Sequence, residues 1–282
     1  MSNQPGVLYV VATPIGNLDD LSPRALLTLN EVSLIAAEDT RHSSKLLRHF
    51  GILTPVIAFH EHNEREKAAE LVALLGTGKS IALISDAGTP LVSDPGYRLV
   101  RATHAAGIRV VPLPGACAAI VALSASGLPS DRFAFEGFPP VKSAARRTWF
   151  EALAGEPRTL IVYESPHRIV ESLQDMVAVF GAAREAVYAR ELTKQFETVR
   201  HAALGELARW VAEDANQQRG EIVVLIHGAA PAVAETSEDT ARILRILIKE
   251  LPVSQAAALA AEITGQKKNQ LYELALQLKQ AP

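Results

Sequence analysis

Cysteine is nearly absent: Cys117 is the only one in 282 residues. A lone thiol excludes a disulfide framework and any zinc module built on several cysteines, and it fits a reducing cytoplasm. No apolar run approaches the roughly 20 residues of a membrane-spanning helix; Ile222–Ile226 is only of strand length. Met1–Gly6 is polar and has no charged region ahead of an apolar one, so no signal peptide is expected. Positive charge is not in excess either. Lys and Arg number 28 against 31 Asp and Glu, a formal net charge of −3, which argues against binding nucleic acid through a broad positive field. The eight histidines show no H-E-x-x-H or other ligand spacing, so no metal is expected. The G-x-G-x-x-G fingerprint, the Gly-Lys-Ser/Thr phosphate loop and the G-x-S-x-G elbow are all missing. Their absence disfavours a dinucleotide oxidoreductase, a nucleotide hydrolase and a serine hydrolase. What remains is a cytoplasmic globular chain, 48% hydrophobic and 21% charged, long enough to bury a sizeable core.

Strand and helix patterns alternate in the first part of that chain. Val7–Ala12, Val32–Ala37, Pro55–Phe59, Ser80–Ser85 and Ile108–Leu113 read as strands. Ser22–Asn30, Ser43–Phe50, Glu64–Leu75 and Asp94–Ala106 read as helices, with Ser22-Pro23 and Asp94-Pro95 as capping pairs and Gly107 as a stop. Near-continuous apolar strands predict a largely parallel α/β sheet. An Ala-rich helix, Ala116–Ser126, leads past Gly127 into a second part. Its strands are Arg132–Phe138, Thr159–Tyr163, Ala186–Arg190, Thr198–Ala202 and Glu221–His227, and its helices Ala144–Leu153, Pro166–Phe180 and Leu204–Glu213. Ser165-Pro166 reads as another capping pair, and the short turns late in this part predict a mixed sheet. Ala232–Thr240 reads as a linker, followed by helices at Thr240–Glu250, Ser254–Ile263 and Lys267–Lys279. The last two, joined through Gly265, suggest a helix-turn-helix hairpin, either a packing appendage or a nucleic-acid reader. The predicted organisation is residues 1–115 and 116–230 as two α/β domains and 231–282 as a linker and helical segment.

Chemistry concentrates after the strands, where open α/β sheets bind ligands. Thr13-Pro14-Ile15-Gly16-Asn17-Leu18 follows the first strand. Residues 85–96 (SDAGTPLVSDPG) hold two prolines and two glycines, more small residues than a plain connection needs, and let a ligand approach the backbone. Glu38-Asp39-Thr40-Arg41-His42 ends the second strand and suggests an active-site rim. Tyr163–Arg168 and Arg190–Glu197 carry mixed charges; each is a solvated loop or, through Lys194 beside Glu191, a pair that tunes a proton acceptor. Lys142, Arg146, Arg147 and Trp149 form a positive stretch with no carboxylate between Lys142 and Phe150. That stretch is a solvated helix face or an RNA-backbone contact.

The order of these motifs, TPIGNL at 13–18, AEDTRHS at 37–43, LISDAGTPLVSDPG at 83–96 and LPGACAA at 113–119, resembles the tetrapyrrole-methylase superfamily. Within it the chain most resembles the methyltransferases of small-subunit ribosomal RNA. The resemblance implies two α/β domains of tetrapyrrole-methylase type with S-adenosyl-L-methionine in the cleft between them, and a homodimer. It implies methylation of the ribose 2′-hydroxyl of a cytidine in 16S rRNA. The cofactor positions it implies are Pro14, Ala87, Gly88, Thr89, Val92, Cys117, Ala118, Glu164, Leu192 and Glu221. Thr89 replaces the superfamily's loop aspartate, and Asp86 stands three residues earlier, so either is the residue expected to face the cofactor. For catalysis the expectation is the Asp39/Arg41 rim and the Glu191/Lys194 pair, which could accept a proton or stabilise a developing alkoxide. For RNA the expected contacts are Lys142, Arg146, Arg147, Lys267 and Lys268. From Thr240 onward six basic residues face three acidic ones, so charge is segregated along the chain. A small-molecule tetrapyrrole methyltransferase and a non-catalytic ribosome-assembly protein are the competing readings.

Overall fold

The computed structural model describes residues 4–230 and 238–280. The chain divides into two compact units, residues 1–228 and 229–282. The first holds two five-stranded sheets.

The first sheet contains β1 (Leu8–Val11), β2 (Leu34–Ala37), β3 (Val56–Ala58), β4 (Ile81–Ile84) and β5 (Val110–Leu113) in the order β3-β2-β4-β1-β5. Every pairing is parallel, so all five strands end at one edge. Central β4 is buried throughout, as a strand covered on both faces must be. α1 (Pro23–Glu31) and α2 (Thr40–His49) cover one face through Ala25, Leu29 and Leu47. α3 (Glu64–Gly76) and α4 (Tyr97–Ala105) cover the other through Leu71, Leu75 and Leu99.

Two helix starts on the first sheet, those of α2 and α4, differ from the sequence expectation, each for a capping reason. α2 begins at Thr40 because the Asp39 side chain accepts the Arg41 N–H at 2.7 Å and the His42 N–H at 3.4 Å. Asp94 does not cap α4. The helix starts at Tyr97 behind Gly96, whose φ of 136° suits glycine alone. Glu64, from the start of α3, supplies the cap: its Oε1 accepts the Gly96 and Arg98 N–H groups at 3.0 and 2.9 Å. Ser22-Pro23 does cap α1, with Ser22 Oγ accepting the Ala25 N–H at 3.1 Å.

After α5 (Ala118–Ser126), closed by left-handed Gly127, come β6 (Phe133–Gly137), α6 (Ser143–Leu153), β7 (Thr159–Glu164), α7 (Ile169–Phe180), β8 (Glu185–Arg190), β9 (Thr198–Ala203), α8 (Leu204–Glu213) and β10 (Ile222–Ile226). The second sheet runs β6-β7-β10-β8-β9, parallel only between β6 and β7. α6, α7 and α8 bury one face around Phe150, Met176 and Leu207. α5 covers the other, joined there by Ile15 and Leu192. The Ser165-Pro166 pair does not open α7, which starts at Ile169; residues 165–168 form a turn closed by the Arg168 N–H to the Ser165 carbonyl at 3.1 Å.

Arg146 is corrected from an RNA contact to a core residue. Its side chain is 0% exposed, with Nε donating to Asp175 Oδ2 at 2.8 Å and Nη1 to the Val141 carbonyl at 3.1 Å. Arg147 Nε and Ser143 Oγ donate to Asp175 Oδ1 at 2.6 and 3.0 Å. The carboxylate missing from 142–150 therefore comes from α7. Arg147 stays half-exposed, and Lys142 is exposed.

In the second unit, α9 (Glu238–Glu250), α10 (Val253–Thr264) and α11 (Lys268–Gln280) close around Leu244, Ala257, Ala260 and Leu271. Gly265, at φ 70°, makes the tight turn before α11. Of the expected linker, residues 232–237 lie outside the described residues, and Glu238–Thr240 opens α9 instead. Lys267 and Lys268 are exposed at the start of α11, where cations oppose the helix dipole. Among the described residues no helix is long and apolar enough to cross a membrane.

Removing one partner of a buried pair strands the other charge. Asp175→Ala is expected to lower stability by about 3–5 kcal/mol, read from urea unfolding; Lys142→Ala is expected to stay within about 0.5 kcal/mol.

Candidate functional site

The loops after β1, β4 and β5 meet at the shared strand-end edge. Thr13 and Gly88 exchange backbone hydrogen bonds at 2.8 and 3.0 Å, pinning the first loop to the second. Thr89 Oγ1 donates to the Ala116 carbonyl at 2.9 Å, pinning the second to the third. Tyr163, from β7, accepts the Ala119 N–H through its hydroxyl at 3.0 Å and links α5 to the second sheet. Leu91 and Ser93 both hold positive φ, 73° and 67°, conformations that non-glycine residues seldom adopt and that mark a loop shaped for more than connection.

Between the two sheets these loops leave a cavity of about 410 Å³, within the size range of small-molecule sites. Its walls include Asp86, Ala87, Gly88, Thr89, Val92, Cys117, Ala118, Glu164 and Glu221, nine of the expected cofactor positions. Asp86 and Thr89 both line it, although the Thr89 hydroxyl is occupied by Ala116. Pro14 and Leu192 do not line it. Leu192 is buried with Ile15, its neighbour in the same apolar cluster, and Ile15 reaches the wall instead.

The cavity's lining carries five carboxylates, Glu38, Asp86, Asp94, Glu164 and Glu221, and no Lys, Arg or His. Two have cations behind them: Arg168 Nη2 donates to Glu164 Oε1 at 2.7 Å, and Lys194 Nζ to Glu221 Oε2 at 3.1 Å. Glu38, Asp86 and Asp94 have no ion pair among the described residues. Burial, reinforced by Asp94 and Asp86, pushes Glu38 up to about 7. Burial also pushes Asp94 up to about 6, with Asp86 adding to it and a Ser85 hydrogen bond opposing it. The Glu164 side chain is buried, and its Oε2 has no hydrogen-bond partner.

The expected catalytic residues sit elsewhere. Asp39 is consumed in capping α2, which holds it below the usual carboxylate range, and Arg41 is exposed in the helix's first turn. Neither lines the cavity; the neighbouring Glu38 does. Glu191, at φ 51°, accepts Lys194 Nζ at 2.8 Å and the Glu221 N–H at 3.0 Å. Burial opposes its ionisation, but these bonds win and keep its pKa low, while the same carboxylates raise that of Lys194. A carboxylate so held is a poor proton acceptor. The pair instead shapes the turn on which the first loop rests: Thr193 Oγ1 accepts the Asn17 N–H at 3.1 Å, and a Cβ on Gly16 would come within 2.4 Å of Lys194 Cγ.

Glu38, Asp94, Tyr163 and Pro166 lie in stretches singled out in the sequence but were not chosen individually, and Phe138 and Gly220 were missed. Glu38 had a readable signal: once Asp39 is assigned to capping, the residue before it is the one left at the strand end. Asp94 and Pro166 were hidden by proline pairs that imitate helix starts.

Loops after parallel strands, an acidic cavity and a second, mixed sheet define a class, and the chain belongs to the tetrapyrrole (corrin/porphyrin) methylase family, whose profile matches residues 7–208. The RsmI C-terminal HTH domain profile matches residues 234–279. Among curated proteins, the chain is 62% identical to ribosomal RNA small subunit methyltransferase I of Pseudomonas aeruginosa, covering 96% of this chain and 97% of that one. It is 58% identical to the protein of that name from Escherichia coli O157:H7, covering 98% and 96%. Among solved structures, uroporphyrin-III-C-methyltransferase from Thermus thermophilus shares the fold, with a TM-score of 0.56 at 21% identity, over 79% of this chain and 94% of that one.

Raised carboxyl pKa values carry a stability cost with a definite sign. Glu38 is neutral without penalty below its ordinary value of 4.5 and destabilises increasingly as pH rises through about 7. Glu38→Gln is therefore expected to melt at a higher temperature than the parent at pH 8, with the gap closing toward pH 4.5. A constant gap across thermal melts at these pH values would remove the burial argument.

Proposed function

We propose that this protein is an S-adenosyl-L-methionine-dependent methyltransferase of small-subunit ribosomal RNA, acting on the ribose 2′-hydroxyl of a cytidine in 16S rRNA. The observation that carries the cofactor is the charge of the cavity. Three carboxylates with no ion pair among the described residues repel a phosphate-bearing ligand and favour one with cationic centres. The near-full-length similarity to the ribosomal RNA methyltransferases supports the substrate class. The 2′-hydroxyl of a cytidine is the target that the motif resemblance implies.

S-adenosyl-L-methionine supplies, when bound, a methyl group on a positively charged sulfur. The chain's own residues have three tasks. The loop pinned by the Thr13–Gly88 bridge and by Thr89, with Ala87, Val92, Cys117 and Ala118, forms the wall that holds the cofactor. Glu164 and Glu221 bind from the second sheet. Glu38 accepts the proton of the attacking hydroxyl: it lies in the cavity, and a pKa of about 7 makes it a base of useful strength near neutral pH. This role replaces that first assigned to Asp39, Arg41, Glu191 and Lys194. Residues 1–115 and 116–230 are the two catalytic domains of this reading. Lys142, Arg147, Lys267 and Lys268 are exposed cations available to the RNA, the enzyme acts as a homodimer, and its compartment is the cytoplasm.

The test uses methyl-labelled cofactor with isolated 30S subunits, free 16S rRNA and a tetrapyrrole. Label in a ribose 2′-O position of the rRNA is expected, and label only in the tetrapyrrole would reject the reading. In the same assay, at saturating cofactor, Glu38→Gln is expected to reduce turnover about 10²–10⁴-fold, beyond any loss of cofactor affinity. The parent's rate should rise with pH through about 7. Unchanged turnover would remove Glu38 from the reaction.

A further inference from the structure

α3 and α4 lie side by side on the first sheet, and their outer faces enclose an open groove of about 530 Å³. Three arginines line it, Arg65 from α3 and Arg98 and Arg101 from α4, with no acidic residue among the lining. Arg98 and Arg101 are three apart and share one helix face. Arg65 and Arg101 form no ion pair among the described residues. Arg98 is 63% exposed and stands 3.9 Å from Glu64, whose other oxygen is occupied in capping α4. Ala68 and Ala102 keep the floor shallow, and Tyr97 stands at one end, 63% exposed.

Three like charges, with only the Glu64 carboxylate at 3.9 Å from one of them, repel one another, an arrangement that relaxes when an anion sits among them. Topology fixes where that anion lies. Both helices follow parallel strands, so their first turns stand at the strand-end edge that carries the cavity. Ser93 and Asp94 line the cavity, and Tyr97 and Arg98 line the groove a few residues later. The two surfaces have opposite charge. An RNA strand presenting one ribose to the acidic cavity must place its phosphates outside it.

We infer that the α3–α4 groove is the docking surface for the RNA phosphodiester backbone flanking the nucleotide that enters the cavity. This rests on the ribosomal RNA reading above. The three arginines hold successive phosphates, and Tyr97 offers a ring face to an unstacked base. Docking of this kind needs no net positive charge, because the field is local.

The test compares the full-length parent, the Arg65→Ala/Arg98→Ala/Arg101→Ala variant and the corresponding triple lysine variant. Equilibrium binding to isolated 30S subunits is measured between 50 and 200 mM KCl. The alanine variant is expected to bind at least tenfold more weakly at the low-salt end. Its log–log salt slope should be shallower by about 2, as expected for three lost contacts to single-stranded phosphates. Lysine should restore most of both, since phosphates respond to charge and a packing role would not be rescued. Cofactor affinity by calorimetry should match the parent, and methyl transfer to subunits should lose mainly in KM. An unchanged slope in the alanine variant overturns the proposal, as does a parent that binds no subunits. A sedimentation shift with the slope unchanged overturns it in favour of an interface between copies of the chain. A parent that binds subunits but transfers no methyl group refutes the enzymatic reading, while the slope comparison still decides the groove.

Discussion

Crowding Glu38, Asp86 and Asp94 into one cavity without a cation is the constraint on which the site depends. Folding alone does not favour it: burial and mutual repulsion both resist ionisation, and the raised pKa values of Glu38 and Asp94 report that resistance. The energy must come from the surrounding fold. The all-parallel first sheet brings the ends of β2 and β4 to one edge, with Glu38 just past β2 and Asp86 two residues past β4. Glu38 and Asp86 are then locked by backbone. The Asp39 N–H donates to Asp86 Oδ1 at 3.0 Å, and the Asp86 N–H points to Glu38 Oε2 at 3.5 Å. Residues that appear redundant in a charge count thus divide the labour: Asp39 caps the helix and orients Asp86, freeing Glu38 for the cavity.

The cavity's other wall is held by contacts between segments distant in sequence. Ile15 and Leu192 share one apolar cluster, Asn17 donates to Thr193, and Tyr163 receives α5. Glu191 and Lys194 belong to this scaffold. Their mutual neutralisation, completed by the Glu221 N–H, makes the turn rigid and removes them as titrating groups near neutral pH. A charged pair close to a site is therefore ambiguous until its hydrogen bonds are counted. Glu38 has one weak contact and a raised pKa; Glu191 has two firm ones and a lowered pKa.

Much of this architecture was legible in the residue order. The parallel first sheet, the mixed second sheet and the helical C-terminal segment all follow from apolar periodicity and turn length. The loops at 13–18 and 85–96 announced themselves by their small residues. The failures share one cause: a local pattern was satisfied from a distance. Asp94-Pro95 has the form of a helix cap, yet Glu64 caps α4 from another helix and releases Asp94 to the cavity. Leu192, a cofactor position implied by the superfamily pattern, is buried in one cluster with Ile15, and Ile15 lines the cavity.

Arginine shows most clearly what sequence leaves open. Arg146 and Arg147 sit in a stretch with no local acid and look free, but Asp175 of α7 accepts hydrogen bonds from both. Arg65 stands between Glu64 and Glu66 in the chain, yet neither Arg65 nor Arg101 forms an ion pair among the described residues, and Glu64 caps α4. Helix packing thus splits that stretch: Arg146 is core, Lys142 and Arg147 stay exposed, and α3 and α4 add exposed cations of their own. Net charge could not distinguish these cases, because both sets contribute equally to the −3. What separates them is whether a neighbouring helix brings a carboxylate within hydrogen-bond reach, which is a property of the packed fold.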